Sequence, residues 1–332
     1  MESIMNGMPE AQPGTIRAAA TDKESLPPRM VAVASGKGGV GKTLSSLGLG
    51  WYLARIGYRV VVVDMDFGVG NLHLSAGIGR IDKSLDHFLS GKVADLNELV
   101  VPLEDNPKLS ILPAAGRQTS ATGIFADARK QLLDNFQTLN ADIVLLDIGA
   151  GSSQDNIDFF LHADHRLAVA TADLSAMTAL ISFLKKSLIH HILGNAARDF
   201  PNLRISGSQE FVRVADLYNA INKYSGEDAG RQLVAQALKS FRPAVILNRV
   251  VDGDLAQIER VNKNLMRHLN ATTAVLGTIP EDNAITRCRR LGQNFLHRSP
   301  ESAAAKALAA ITSHWQDQYL FNDDEHSREI RL

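Results

Sequence analysis

The sequence predicts an α/β fold built on a doubly wound, mainly parallel sheet with a helical insertion, and three observations predict it. Short β-branched apolar runs alternate with helical patterns from Met30 onward. The runs are continuously apolar, as in strands covered on both faces. Clusters of glycine, lysine and aspartate fall just past the carboxyl ends of these runs, where open parallel sheets place their ligands.

In chain order, residues 1–29 are rich in Pro, Ala, Gly and polar residues without a sustained period, and read as a mobile tail ending at Pro27-Pro28. Strand Met30 to Ala34 opens the fold, helix Thr43 to Ile56 follows with Gly57 as its stop, and strand Arg59 to Asp64 comes next. Further strands are Leu109 to Leu112, Ile143 to Asp147, Arg166 to Thr171, Ala244 to Asn248 and Ala274 to Ile279. Helices are expected over Ala126 to Phe136, Ser175 to Leu193, Leu255 to Leu269, and Ser302 to about Gln318. Residues 196–242 are polar, carry no strand pattern and are longer than ordinary α/β connections, so they read as a helical insertion containing Val212 to Lys223 and Glu227 to Ser240. One domain is expected over 30–321, followed by an acidic tail over 322–332.

The chain has 332 residues, 45% hydrophobic and 21% charged, ample to bury a core. With a formal net charge of -1, no overall field draws it to nucleic acid or to an anionic membrane. The single cysteine, Cys288, allows no internal disulfide and no Cys-x-x-Cys metal pair, which points to a reducing, cytoplasmic compartment. No stretch approaches the roughly 18 apolar residues of a spanning helix.

Gly36-Lys37-Gly38-Gly39-Val40-Gly41-Lys42-Thr43 lies between the first strand and the first helix, the context a phosphate-binding loop requires. The glycines let successive backbone N–H groups turn toward one point, and the helix beginning near Lys42 adds the positive end of its dipole. Lys42 is expected to reach the β- and γ-phosphates of a nucleoside triphosphate, and the Thr43 hydroxyl to hold Mg²⁺. Lys37 is a second lysine that the general pattern does not ask for. The second strand ends in Asp64-Met65-Asp66. One aspartate there could be a cap or turn former, whereas two separated by one residue point to Mg²⁺ and water management. Asp147 closes the strand that begins at Ile143 and precedes Ile148-Gly149-Ala150-Gly151. It suits the outer shell of Mg²⁺, while Gly149 would let a backbone N–H approach the γ-phosphate, making the loop an order–disorder switch.

Together these residues, with Asn71, resemble the deviant Walker A ATPases of the MinD/ParA group, nearest the FlhG branch, also called FleN or YlxH, and its MinD-like relatives. The resemblance runs from about Met30 to Trp315. It implies a P-loop NTPase that uses ATP and Mg²⁺, slowly, with stimulation by an unidentified protein partner. By that resemblance Lys37, Lys42 and Asp66 are the catalytic set. Lys37 crosses a dimer interface to the partner subunit's nucleotide, and Asp66 positions the attacking water. Thr43, Asp64 and Asp147 surround the metal. Gly36, Lys37, Gly38, Gly39, Val40, Gly41, Lys42, Thr43 and Gly149 surround the phosphates, and Asn248, Pro280 and Glu281 meet the adenine. Two lysines facing one phosphate chain in a monomer would repel, and placing Lys37 across an ATP-held homodimer removes that conflict. The expected role is control of the placement or number of a cellular structure such as a flagellum or division site, with peripheral location at a membrane or pole as an extension. The alternatives are a DNA-binding partition ATPase of the ParA kind and a nucleotide-binding scaffold with negligible turnover. A metal-cluster carrier of the Mrp type would need cysteine ligands, and a bacterial tyrosine kinase a terminal tyrosine cluster.

The chain departs from the resemblance in places. Residues 1–29 hold no glutamine-containing motif of the FlhG kind, and Ala172-Asp173-Leu174-Ser175-Ala176 stands where the group usually has Pro-Glu-Pro-Thr. Leu308, Ile311, Trp315 and Tyr319 could share one face of a terminal membrane helix, but the acidic residues after them favour core docking. Arg287, Arg289 and Arg290 read as a solvated helix face before a DNA contact. His190-His191 lacks a third ligand at metal spacing.

Overall fold

The computed structural model describes residues 26–67, 70–114, 126–201, 214–225, 227–251, 259, 263 and 273–317. Eight strands form one sheet: β1 (Arg29–Ser35), β2 (Val60–Met65), β3 (Val101–Leu103), β4 (Asn106–Leu112), β5 (Ile143–Ala150), β6 (His165–Thr171), β7 (Ala244–Val250) and β8 (Ala274–Pro280). Their order is β3-β4-β2-β5-β1-β6-β7-β8, and every pairing is parallel except β3 with β4. The expected mainly parallel, doubly wound sheet is therefore observed. The chain winds from β1 to one edge, returns through β5 beside β1, and winds to the other edge. That reversal opens a crevice at the carboxyl ends of β1 and β5.

Alternate residues of each strand serve opposite faces. Val31, Val33, Val62 and Leu145 pack under α1 (Lys42–Arg55) and the C-terminal helix. Ala32, Val63, Val144 and Leu146 pack against a second helical layer. That layer contains α4 (Ala126–Phe136), α5 (Gln154–His162), α6 (Leu174–Asp199), α7 (Val214–Ser225) and α8 (Glu227–Ser240). Between β2 and β3 come the short helices α2 (Leu72–Ser75) and α3 (Leu85–Leu89), and after β8 come α9 (Asn283–Arg290), α10 (Phe295–Arg298) and α11 (Ala303–Trp315).

The differences from expectation are local. The segment read as tail gives up Arg29 to β1, where its N–H donates to the Asp142 carbonyl at 3.0 Å. The remainder of that tail up to residue 25, the expected helix Leu255 to Leu269 apart from 259 and 263, and the acidic tail lie outside the described residues. Helix α6 runs to Asp199 through Gly194, because Ile192 and Ala196 continue its buried face. The start of the insertion at 196 thus falls inside α6. Leu217, Ile221, Ala237 and Phe241 join the same core, so α7 and α8 extend the helical layer. Leu308, Ile311 and Trp315 are buried, so the C-terminal helix is docked on α1 and β8; Tyr319 lies outside the described residues. Among the described residues no helix is long and apolar enough to cross a membrane.

The junction of α6 and α8 contains a titratable group. His191 Nε2 lies 2.8 Å from Ser240 Oγ, and its ring is 5.9 Å from that of Phe241. Burial, with Arg166 and Arg198 adding to it, pushes His191 down to about 4 from its ordinary 6.5. The unfolded chain binds this proton more readily, so the contribution is full above pH 6.5 and is lost as pH falls through 4, up to about 3 kcal/mol. Urea unfolding at pH 7 and pH 4 should show a smaller stability loss for His191→Gln than for the parent chain. Equal losses would remove His191 as the source.

Candidate nucleotide site

The loop from Gly36 to Gly41 connects β1 to the first turn of α1. Gly41, at φ 93°, occupies the left-handed region and N-caps α1 without a side-chain bond, leaving that helix end to its backbone N–H groups. A Cβ on Gly41 would lie 1.9 Å from Asn248 Nδ2, so the position also needs glycine for close approach. Asn248, 2% exposed at the end of β7, donates from Nδ2 to the Val40 carbonyl at 2.8 Å and accepts from the Arg249 N–H through Oδ1. The residue expected at the adenine thus also anchors the glycine-rich loop.

Beneath the loop lies a buried polar cluster centred on Asp147, which is 1% exposed. Lys42 Nζ donates to its Oδ1 at 2.8 Å, Ser46 Oγ donates to Oδ1 at 2.9 Å, and Thr43 Oγ1 donates to Oδ2 at 2.7 Å. Lys42, Thr43 and Ser46 share one face of α1 by helical spacing. Ser46 was not foreseen, although its place three residues after Thr43 carried the signal. Register sets Asp64 directly beside Asp147 across β2 and β5. Burial first, and Asp147 second, push Asp64 up to about 7. Its Oδ1 accepts from the Asp66 N–H at 3.0 Å and its Oδ2 from the Leu72 N–H at 3.2 Å. Asp64 therefore shapes the turn that carries Asp66, as the turn-forming alternative has it.

The residues present fit a magnesium ion. Thr43, Asp64 and Asp147 offer hard oxygen donors, and a divalent cation there would favour the ionised form of Asp64 that burial and the neighbouring Asp147 disfavour. Among the described residues no cluster of three His, Cys, Asp or Glu could hold a metal alone, and the His190-His191 pair instead faces Gln154 and Ser240. A magnesium site built from one or two carboxylates, a hydroxyl, water and phosphate needs no such cluster.

A cavity of about 540 Å³ runs along the loop. Gly38, Gly39, Gly41, Lys42, Thr43, Asp66 and Ala150 line it, together with Asn248, Arg249, Pro280, Glu281, Ile285, Arg289 and Phe295. Of the expected phosphate residues Gly38, Gly39, Gly41, Lys42 and Thr43 line this space, as do Asn248, Pro280 and Glu281 of the expected adenine residues, whereas Gly36, Lys37, Val40 and Gly149 do not. Arg249, unforeseen, is the non-glycine residue with positive φ among those described, 56°, at a bulge in β7, and lies 3.9 Å from Glu281. Arg287, Arg289 and Arg290 are exposed on the last turn of α9, where the helix dipole favours them.

Lys37 takes a different direction from Lys42. Its exposed Nζ donates to Ser175 Oγ at 2.6 Å, and Ser175 Oγ donates to Asp173 Oδ1 at 2.6 Å. Bonds from Ser175, Thr171 and the Ala176 N–H, with Lys37 adding a smaller pull, hold the Asp173 carboxyl well below the usual carboxylate range. The segment that departs from the group's usual run is thus the one that holds the second lysine. Beside it, Leu174 is 84% exposed.

A family model, the CobQ/CobB/MinD/ParA nucleotide binding domain, matches residues 31–295. The chain belongs to this family. It is 33% identical over 159 residues to the flagellum site-determining protein YlxH of Helicobacter pylori, covering 47% of this chain and 53% of that protein. It is 28% identical over 284 residues to the septum site-determining protein MinD of the same organism, covering 85% and 88%. The chain spans about half the length of most of the curated relatives it matches. In fold it is similar to the MinD of Pyrococcus horikoshii complexed with Mg-ADP, with a TM-score of 0.55 at 20% identity over 86% of this chain and 94% of that one. That likeness shows the fold that the motifs of this family member predict.

Proposed function

We propose that the chain is an ATP-hydrolysing dimerisation switch that acts in the cytoplasm or at its membrane boundary to control where, or in what number, a cellular structure forms. The observation that carries this reading is the Lys42–Asp147–Thr43–Ser46 cluster directly beneath a glycine-rich helix N-terminus. In it Lys42 and the Gly38–Gly41 amides bind the phosphates, Thr43 with Asp147 and Asp64 holds magnesium, and Asp66 orients the attacking water. Asn248, Pro280 and Glu281 bound the base end. The metal would supply neutralisation of charge on the phosphate oxygens.

Lys37 is the residue of the interface. It is exposed, and its neighbour in space, Ser175, is preceded in the chain by the exposed side chain of Leu174. A lysine donated between subunits offsets the negative charge on the oxygens of the transferring phosphoryl. Switching from about 1:99 to 99:1 needs roughly 5.5 kcal/mol of differential binding, within reach of a few charge-assisted bonds to the γ-phosphate and across the interface. Control of the site of a flagellum or septum is the placement role favoured by the YlxH and MinD relatives. The exposed Arg287, Arg289 and Arg290 are the residues that the DNA-binding alternative would use.

Phosphate release per chain, measured over a protein-concentration series, should rise as dimer forms. Turnover that is absent, or flat across the series, would sink the switch. A fluorescent fusion carrying Asp66→Ala separates the branches, since polar foci or membrane spread fit placement and nucleoid coating fits the partition alternative.

A further inference from the structure

The carboxyl end of β5 and the residue after it are clasped by the side chain of Asn156. Asn156, on the first turn of α5 and 9% exposed, donates from Nδ2 to three successive carbonyls: Gly149 at 3.0 Å, Ala150 at 3.2 Å and Gly151 at 3.0 Å. Two N–H bonds serve three acceptors, so at least one is shared. The clasp is itself fixed, because the Asn156 backbone N–H donates to the N-cap hydroxyl of Ser153 at 3.3 Å. Glycine at 149 makes room for it, since a Cβ there would lie 3.3 Å from Asn156 Oδ1.

The consequences follow from peptide geometry. The C=O and N–H of one peptide plane point in opposite directions, so turning the Gly149 and Ala150 carbonyls toward α5 turns the Ala150 and Gly151 N–H groups away from it. The Gly151 N–H meets the Ser35 carbonyl at 3.0 Å, and Ser35 Oγ donates to the Lys37 carbonyl at 3.0 Å. Ala150 lines the cavity. One amide thereby sets the loop after Asp147 and ties it, through Ser35, to the loop that carries Lys37. A further bond, from Lys186 Nζ on α6 to Ser152 Oγ at 2.9 Å, holds the far end.

We propose that Asn156 is a positioning residue for phosphoryl transfer. It holds the Gly149–Ala150 peptide plane so that the outward Ala150 N–H meets the terminal phosphate, while the Gly151 N–H stays bonded to Ser35, and it touches no substrate itself. The proposal rests on the ATP-hydrolysing reading above.

The test uses the full chain with two substitutions. Asn156→Asp keeps size but accepts only, so it faces three carbonyls with like polarity; Asn156→Ala removes the clasp. For Asn156→Asp, kcat should fall about 10²-fold, the scale of an approximately 1 Å misplacement, while KM for ATP changes less than about threefold. Hydrogen exchange without nucleotide should speed up at amides 149–153 in both variants and stay unchanged in β1 and α1. The split of kcat from KM is what a purely structural role would not give. A kcat within about threefold of the parent, or KM rising in step with exchange speeding up throughout the sheet, would overturn the proposal. If the parent chain turns over no ATP at any concentration, the functional reading and the positioning role fall together. The exchange arm then decides the clasp by itself, and unchanged protection at 149–153 refutes it.

Discussion

Lys42→Met is expected to lower ATP turnover by at least about 10²-fold and to destabilise the folded chain by about 3–5 kcal/mol. Both effects come from one geometry. Lys42 Nζ lies 2.8 Å from Asp147 Oδ1 with side chains only 10% and 2% exposed, so truncating the lysine leaves a buried carboxylate served by the Thr43 and Ser46 hydroxyls alone. Removing both charges separates the two losses. Lys42→Met combined with Asp147→Asn should recover most of the stability, because the carboxylate that lost its partner is neutralised with it, and should recover none of the turnover. Urea unfolding and phosphate release on the same three samples measure this. A Lys42→Met chain with a kcat within tenfold of the parent would remove Lys42 from the phosphate site.

Lys37→Ala is expected to reduce turnover by about 10³-fold with little change in nucleotide affinity, and to abolish ATP-dependent dimer in sedimentation. The reason is direction. Lys37 is exposed on the face of α6, where its Nζ meets Ser175, while Lys42 points into the cluster under the loop. Its bond to Ser175 competes with a reach into a second subunit, which makes Ser175→Ala an informative partner experiment. That variant should dimerise at least as readily as the parent, since the in-chain bond no longer competes. Lys37→Ala that still dimerises with ATP, or hydrolyses at the parent rate, would end the role between subunits.

Part of this molecule is legible from residue order because the governing physics is local. The parallel strands from Met30 to Ile279 announce themselves as apolar β-branched runs, since each is buried on both faces. Edge strand β3 was not foreseen; it is three residues long, contains Pro102 and pairs antiparallel to β4. The end of α6 was set too early at Leu193, because Gly194 reads as a stop until the packing of Ile192 and Ala196 on the core outweighs its propensity. The small helices α2, α3, α9 and α10 are likewise too short for a periodic signal.

The sequence by itself determined the sheet class, the glycine-rich loop and the carboxylates closing β2 and β5, because a strand, a turn and a helix start are each specified within about ten residues. It could not say what those groups touch. The adjacency of Asp64 to Asp147, the hold of Asn248 on Val40 and the clasp of Asn156 on the loop after β5 depend on strand register and helix docking between segments distant in the chain. The opposite directions of Lys37 and Lys42, five residues apart on one loop, were decided in the same way. Ser175 on α6 draws one outward and Asp147 on β5 draws the other inward, so the separate roles that resemblance and charge repulsion imply for the two lysines acquire their partners only in the tertiary structure.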